Sequence, residues 1–190
     1  MLPLAVLAVA GIVAAGVALT HGPNLVHVAA ALGWPLAYVQ SAHKWAKRYG
    51  MPFDWVLTTI SVESGGNPNA SGDEGGRSVG LMQVNTAVHP VTREQMRVPD
   101  TNIQYGTMLL KQFHDEVLVA LGGRKPPAPI DVITRLAYKG PATVKSALRR
   151  GENPVNLPWG PDAAMRWRRH MGTVRAAIAG RALTPSKQTV

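Results

Sequence analysis

The stretch DWVLTTISVESGG, residues 54–66, decides how the middle of this chain folds. Its apolar residues recur at three- and four-residue steps, the spacing of one face of an α-helix. Glu63 falls on the same face, just before Gly65 and Gly66 allow the chain to turn out of the helix. The pattern therefore predicts a helix with a carboxyl group among apolar neighbours near its C-terminal end. Taken alone, such a glutamate is either a solvated surface charge or an acid held for chemistry.

The remainder of the sequence is also typical of a mainly α-helical protein with one domain. Amphipathic spacing predicts helices over about 37–49, 100–121, 131–138, 141–149 and 161–182. Thr92 followed by Gln95 is a capping-box signature and predicts a short helix after Thr92. The apolar stripe of the longest helix is predicted to consist of Ile103, Gly106, Leu110, Phe113 and Val117. A sustained alternating pattern that would predict long strands is not found.

The N-terminal segment differs from the rest of the chain because residues 1–20 contain no charged side chain. A helix of that length would extend for about 30 Å, the thickness of the hydrocarbon core of a bilayer. No lysine or arginine precedes Lys44, so the basic start of an export signal is missing. The pattern favours a transmembrane anchor over 1–22, with a cleaved signal or a buried core helix as alternatives. A connecting apolar segment (23–36), the main domain (37–182) and a polar tail (183–190) would follow.

Composition excludes several classes of site. The chain has no cysteine, and its six histidines show no metal-ligand spacing, so we expect neither a metal site nor a cofactor. The net charge of +9 comes entirely from residues 101–190. Such a basic surface could attract a polyanion, or could simply be solvated. Arg166, Arg168 and Arg169 around Trp167 form a basic patch, for which a solvated helix face is favoured and nucleic-acid binding is unlikely on the sequence alone.

Four segments occur in a fixed order: ESGGNPNAS (63–71), SVGLMQVN (78–85), DTNIQYGTMLL (100–110) and LAYKGP (136–141). Together they resemble the lytic transglycosylase domain of the soluble-lytic-transglycosylase type, a member of the lysozyme superfamily related to goose-type lysozyme. The resemblance covers roughly residues 37–180. It implies a lysozyme-like helical domain that cleaves the MurNAc–GlcNAc bond of peptidoglycan glycan strands.

The resemblance also implies roles for individual residues. Glu63 would be the single catalytic acid, and the hydroxyl of Tyr138 would point at its carboxyl. The substrate-contacting positions that it implies are Ser71 or Ser78 (as alternatives for one loop serine), Met82, Gln83 and Tyr138. Gly65 and Gly66 would leave room for a sugar strand beside the acid. Lys139 stands where relatives commonly have asparagine, and Trp167 is the nearest candidate for a late tyrosine of the family.

The chemistry of glycoside cleavage agrees with these roles. The acid must be protonated to deliver a proton to the leaving oxygen, and burial among apolar side chains would raise the pKa of Glu63. In the family this reaction needs no second carboxylate and gives a 1,6-anhydromuramoyl end. The alternatives are hydrolysis, with Asp73 or Glu74 holding a water, and a catalytically idle protein that only binds peptidoglycan.

Small size and the ending QVN after G-L-M resemble specialised family members that open the cell wall locally. Such enzymes serve the delivery of a bacteriophage genome or a secretion or conjugation machine. The expected location is the membrane, with the active domain in the periplasm or cell wall, and virion association is an alternative. The positive-inside rule would place Lys44, Lys47 and Arg48 in the cytoplasm, a conflict that a virion protein inserting from outside avoids. Expected partners are peptidoglycan, membrane lipid through 1–20, and other virion or secretion proteins.

Overall fold

The computed structural model describes residues 22–72 and 75–181, which are mainly α-helical as predicted. In chain order the helices are α1 (Leu25–Leu32), α2 (Leu36–Tyr49), α3 (Phe53–Ser64), α4 (Arg93–Arg97), α5 (Pro99–Leu121), α6 (Ile130–Lys139), α7 (Pro141–Arg149) and α8 (Gly160–Ile178), with a 3-10 helix over Pro154–Asn156. Strands β1 (Ser71–Gly72), β2 (Ser78–Val79) and β3 (Val84–Asn85) form an antiparallel sheet in the order β1–β2–β3.

Local signals in the sequence set the ends of the helices. Helix α3 begins directly after Pro52 and ends at Gly65, whose φ of 62° lies in the left-handed region that favours glycine. At α4 the predicted capping box is present: the Thr92 side chain accepts from the Gln95 amide, and the Gln95 side chain accepts from the Thr92 amide. These bonds satisfy backbone groups that a helix end leaves unpaired.

Helix α5 runs through the centre of the domain and packs against α2, α6 and α7. Its predicted apolar stripe is confirmed, since Ile103, Leu110 and Val117 are fully buried and Phe113 nearly so. Helix α3 packs against α2 and α8, and α8 also contacts α6. This arrangement brings the C-terminal end of α3 next to α6 and the small sheet.

The segment expected to connect an anchor to the domain, 23–36, contains α1. Val28 on this helix is fully buried, and α1 packs against α2 and α8. The indole Nε1 of Trp34 donates a hydrogen bond to the carbonyl oxygen of Gly65, 3.0 Å away. The segment is therefore joined to the main helical core by buried apolar contacts.

The anchor predicted over 1–22 and the tail predicted over 183–190 lie outside the described residues, apart from Gly22. Among the helices of 22–72 and 75–181, none is long and apolar enough to cross a membrane.

Candidate active site

A cleft of about 550 Å³ opens between the end of α3, the small sheet, α6 and α8. The side chains with ionisable or hydrogen-bonding groups around it are Glu63, Ser78, Gln83, Asn85, His89, Arg135, Tyr138, Lys139 and Arg166. These side chains come from three of the four segments that the sequence singled out, and Leu109 of the fourth segment also lines the cleft. Glu63 is the single carboxylate among the described residues that line it.

Glu63 lies in the last turn of α3, with 19% of its side chain exposed. Its Oε1 is 2.8 Å from Nη2 of Arg135 on α6, whose side chain is only 7% exposed. The sequence predicted apolar surroundings that would favour the protonated acid. The structure instead places a cation at ion-pair distance, and a cation favours the ionised carboxylate.

Arg135 is a site residue that the sequence reasoning did not identify. It sits within VITRLA, where the other side chains are mostly apolar and all are buried. Its spacing from Tyr138 is three residues, which places both on one face of a helix. That spacing was the available signal, since an arginine on the same face as a cleft tyrosine would also reach the cleft.

The hydroxyl group of Tyr138 donates a hydrogen bond to the carbonyl oxygen of Met82, 2.8 Å away. A phenol has one proton, which this bond uses, so orientation of the Glu63 carboxyl by the hydroxyl, as the resemblance implies, stays a prediction. Burial raises the pKa of the Tyr138 phenol well above its usual range, and the charge of Glu63 raises it further, while Arg135 opposes both. Tyr138 is thus a neutral donor that fixes the turn beside the acid.

The turn between β2 and β3 carries the G-L-M-Q segment. Gln83 has a φ of 49°, and its Nε2 donates to the carbonyl oxygens of Ala70 and Gly80 at 3.0 and 2.9 Å. The side chains of Leu81 and Met82 are fully buried. The Met82 side chain packs into the core against Gly106, so any contact of Met82 with a sugar would be made by its backbone.

Asn102 of α5 holds this turn from behind. Its Oδ1 accepts from the Met82 amide at 2.7 Å, and its Nδ2 donates to the carbonyl oxygens of Val79 and Met96 at 2.8 and 2.9 Å. Asn102 is fully buried, so these bonds satisfy polar groups that water cannot reach. The main contribution of Asn102 is therefore hydrogen bonding to the cleft wall.

The two serine candidates lie in different places. Ser78 on β2 is 5% exposed and lines the cleft. Ser71 is exposed, and its hydroxyl donates to the carbonyl oxygen of Gly76 at 3.3 Å within the loop. Ser78 is therefore the better placed of the two for contact with a substrate. Asp73 and Glu74, the candidate second carboxylates, lie outside the described residues.

Two further sequence expectations concern large side chains. Trp167 is only 1% exposed, and its Nε1 donates to Oδ2 of Asp131 at 2.9 Å, so it joins α8 to α6 rather than facing the cleft. A Cβ at Gly66 would lie 2.3 Å from the indole nitrogen of Trp34. The space beside Gly66 is therefore filled by this ring and is not open to a sugar strand.

The cleft has the chemistry for proton transfer to and from a bound substrate. One carboxylate is bordered by the cations Arg135, Lys139 and Arg166. Arg166 also donates to the Val62 carbonyl oxygen at 3.3 Å, which fixes the backbone next to Glu63. No group of three or more histidine or carboxylate side chains able to hold a metal ion occurs among residues 22–72 and 75–181.

A comparison with known protein families finds a match that includes most residues of this cleft. The family model described as the Transglycosylase SLT domain matches residues 40–148, more than half of the 190 residues. The matched range includes Glu63, the turn that carries Gln83, and both Arg135 and Tyr138. A comparison with curated proteins finds no match.

Proposed function

The chain belongs to the SLT transglycosylase family, whose members are lytic transglycosylases acting on peptidoglycan, and we propose that it cleaves the MurNAc–GlcNAc bond without water, leaving 1,6-anhydromuramoyl ends. One observation carries the proposal: Glu63 is the single carboxylate among the described cleft-lining residues. Glycosidases that hydrolyse commonly need a second carboxylate to activate water or form a covalent intermediate. A single carboxylate among the described lining residues suits a reaction in which the sugar supplies its own nucleophile.

The proposed reaction has two proton transfers through the same carboxyl. Glu63 first donates its proton to the glycosidic oxygen, and the bond from that oxygen to C1 of the muramic acid sugar breaks. The N-acetyl group of that sugar stabilises the resulting positive charge at C1. The Glu63 carboxylate then accepts the proton of the 6-hydroxyl while the bond from O6 to C1 forms. Glu63 is thereby returned to its protonated form.

Digestion of purified sacculi, followed by mass analysis of the released muropeptides, tests this proposal. We expect products that are 18 Da lighter than their hydrolysed counterparts, since no water is added. Glu63→Gln should abolish release, because an amide cannot donate the proton. Glu152→Gln, which changes an exposed glutamate just after the end of α7, is the matched control and should be fully active.

The hydrolytic alternative gives a different result in the same assay. Muropeptides with reducing ends, lost in an Asp73→Asn/Glu74→Gln variant, would show that a second carboxylate activates water. Retained release by Glu63→Gln would exclude Glu63 as the acid. The transglycosylase proposal requires anhydro ends that persist when residues 73 and 74 are neutralised.

We further propose that residues 1–20 anchor the enzyme in a membrane, so that it acts in the periplasm or cell wall. The support is the uncharged apolar segment itself, which lies immediately before the described domain. Flotation of the full chain with phospholipid vesicles tests this, with a chain beginning at residue 22 as the control. Recovery of the full chain in the protein-only fraction would contradict the anchor.

The biological role that we propose is local opening of the wall for a phage genome or for a secretion or conjugation machine. It is supported by the small size of the chain and its resemblance to specialised family members. Deleting the coding sequence should reduce infection or transfer while growth and cell separation remain normal. A growth or separation defect without loss of infection or transfer would instead support housekeeping turnover.

A further inference from the structure

The Arg135 guanidinium is the least expected feature of the cleft. The residue is 6% exposed, and Nη2 contacts Glu63 at 2.8 Å. Its Nε and Nη1 atoms are fully buried and have no hydrogen-bond partner among the described residues. Its guanidinium carbon lies 5.8 Å from the ring centroid of Tyr138, at the edge of cation–π range.

This burial has a direct electrostatic consequence. Arginine keeps its charge in proteins, and a buried cation is costly unless an anion balances it. Glu63 is the carboxylate within ion-pair distance of that cation. Arg135 therefore favours the ionised form of Glu63, although the proposed reaction begins with Glu63 protonated.

The other groups around Glu63 reinforce this conclusion. Those that line its cleft are Tyr138 and Lys139 on α6, Arg166 on α8 and His89 in the loop after β3. His170 on α8 lies close enough to Arg135 for their charges to interact. Burial lowers the pKa values of His89 and His170, and Arg169, Arg166 and Arg135 lower that of His170 further. Both histidines are therefore neutral near neutral pH. The permanent charges near Glu63 within the described residues are cations.

We propose that Arg135 is a positioning residue. Its ion pair holds the Glu63 carboxyl in place and lowers the upper pH limit of cleavage. This inference rests on the proposed function, since it concerns the same acid. In the reaction, Arg135 makes Glu63 a readier proton donor and stabilises the carboxylate that remains after the glycosidic bond breaks. The consequence is that fewer enzyme molecules carry the required proton at neutral pH.

The pH dependence of kcat and KM on solubilised glycan strands tests the proposal. Arg135→Met removes the charge while filling a similar volume. The alkaline limb of its pH–kcat profile should lie about one pH unit or more above that of the wild type. The reason is that a nearby positive charge lowers the pKa of a carboxyl group by about that amount. Its kcat on the acidic plateau should fall about tenfold or more with little change in KM, because the carboxyl loses its orientation.

Two variants separate this effect from general ones. Arg135→Lys keeps the charge and should have its alkaline limb close to that of the wild type. Arg168→Met removes an exposed positive charge from α8 and should leave both the limb and kcat unchanged. An Arg135→Met limb that coincides with the wild-type limb would overturn the proposal.

A second measurement needs no substitution at Arg135, in case that variant does not fold. Glu63→Gln leaves the guanidinium without its anion and should lower the melting temperature at pH 7 by roughly 5 to 15 °C. The ion pair favours the ionised form of Glu63, so its stabilisation is present above the ordinary carboxyl range and is lost as the pH falls. The difference in melting temperature should therefore shrink steadily towards about pH 3.5.

The two measurements also separate this inference from the proposed function. If the wild type released no anhydro muropeptides, the proposed function would fail, while the melting temperatures would still report the ion pair. If the wild type were active but the difference in melting temperature were constant between about pH 3.5 and pH 7.5, the assignment of Arg135 alone would be wrong.

Discussion

Replacement of Asn102 by alanine is expected to be among the most destabilising single changes in this domain. The side chain makes three buried hydrogen bonds, to the Met82 amide and to the carbonyl oxygens of Val79 and Met96. Each such bond contributes about 0.5 to 1.5 kcal/mol, and a buried partner left unsatisfied costs about 1 to 3 kcal/mol. Since some partners can relax towards other groups, we expect a total loss of about 3 to 5 kcal/mol.

The measurement is urea unfolding followed by far-ultraviolet circular dichroism, together with thermal melting. For a domain of this size the loss corresponds to a decrease in melting temperature of roughly 6 to 20 °C. Asn156→Ala, at an exposed position in the 3-10 helix, is the control and should change stability by less than about 0.5 kcal/mol. Asn102→Ala should also lose activity while still folded, because the turn that carries Gln83 loses its hydrogen bonds to the Asn102 side chain. A loss of stability below about 1 kcal/mol would refute this account of the cleft wall.

Three other changes have expected outcomes. Burial alone would raise the pKa of Asp100, but hydrogen bonds from Lys44 and two other side chains of α2 hold it below its usual range. Its stabilisation is therefore lost as the pH falls, and the melting temperature of Asp100→Asn should decrease less steeply in acid than that of the wild type. Gly106→Ala places a Cβ 2.6 Å from Met82 Cβ, and urea unfolding should show a net loss of about 1 to 2 kcal/mol despite the better helix propensity of alanine. Trp167→Phe removes the indole hydrogen bond to α6 and should cost about 1 to 3 kcal/mol in the same assay.

Most of the helical framework could be predicted because its signals are local. The capping box at Thr92 and Gln95, the glycine that ends α3 and the apolar stripe of α5 each depend on residues only a few positions apart. The three short strands escaped prediction because two-residue strands have no periodicity to detect. The position of α1 was also missed, since nothing within 23–36 indicates which helices cover it.

The features of the candidate site also fall into those that the sequence predicts and those that depend on tertiary structure. The sequence by itself determined that Glu63 lies at the end of a helix, that Gln83 and Tyr138 belong to the same constellation, and that the chain resembles a family for which one acid suffices. Tertiary structure alone decided that Ser78 rather than Ser71 lines the cleft, that Tyr138 donates to Met82, and that Glu63 faces a buried guanidinium. The physical reason is distance along the chain. The Glu63–Arg135 and Tyr138–Met82 contacts each join residues more than 50 positions apart. Their geometry follows from how α8 packs against α3 and α6, and how α6 packs against α5, not from any pattern within one segment.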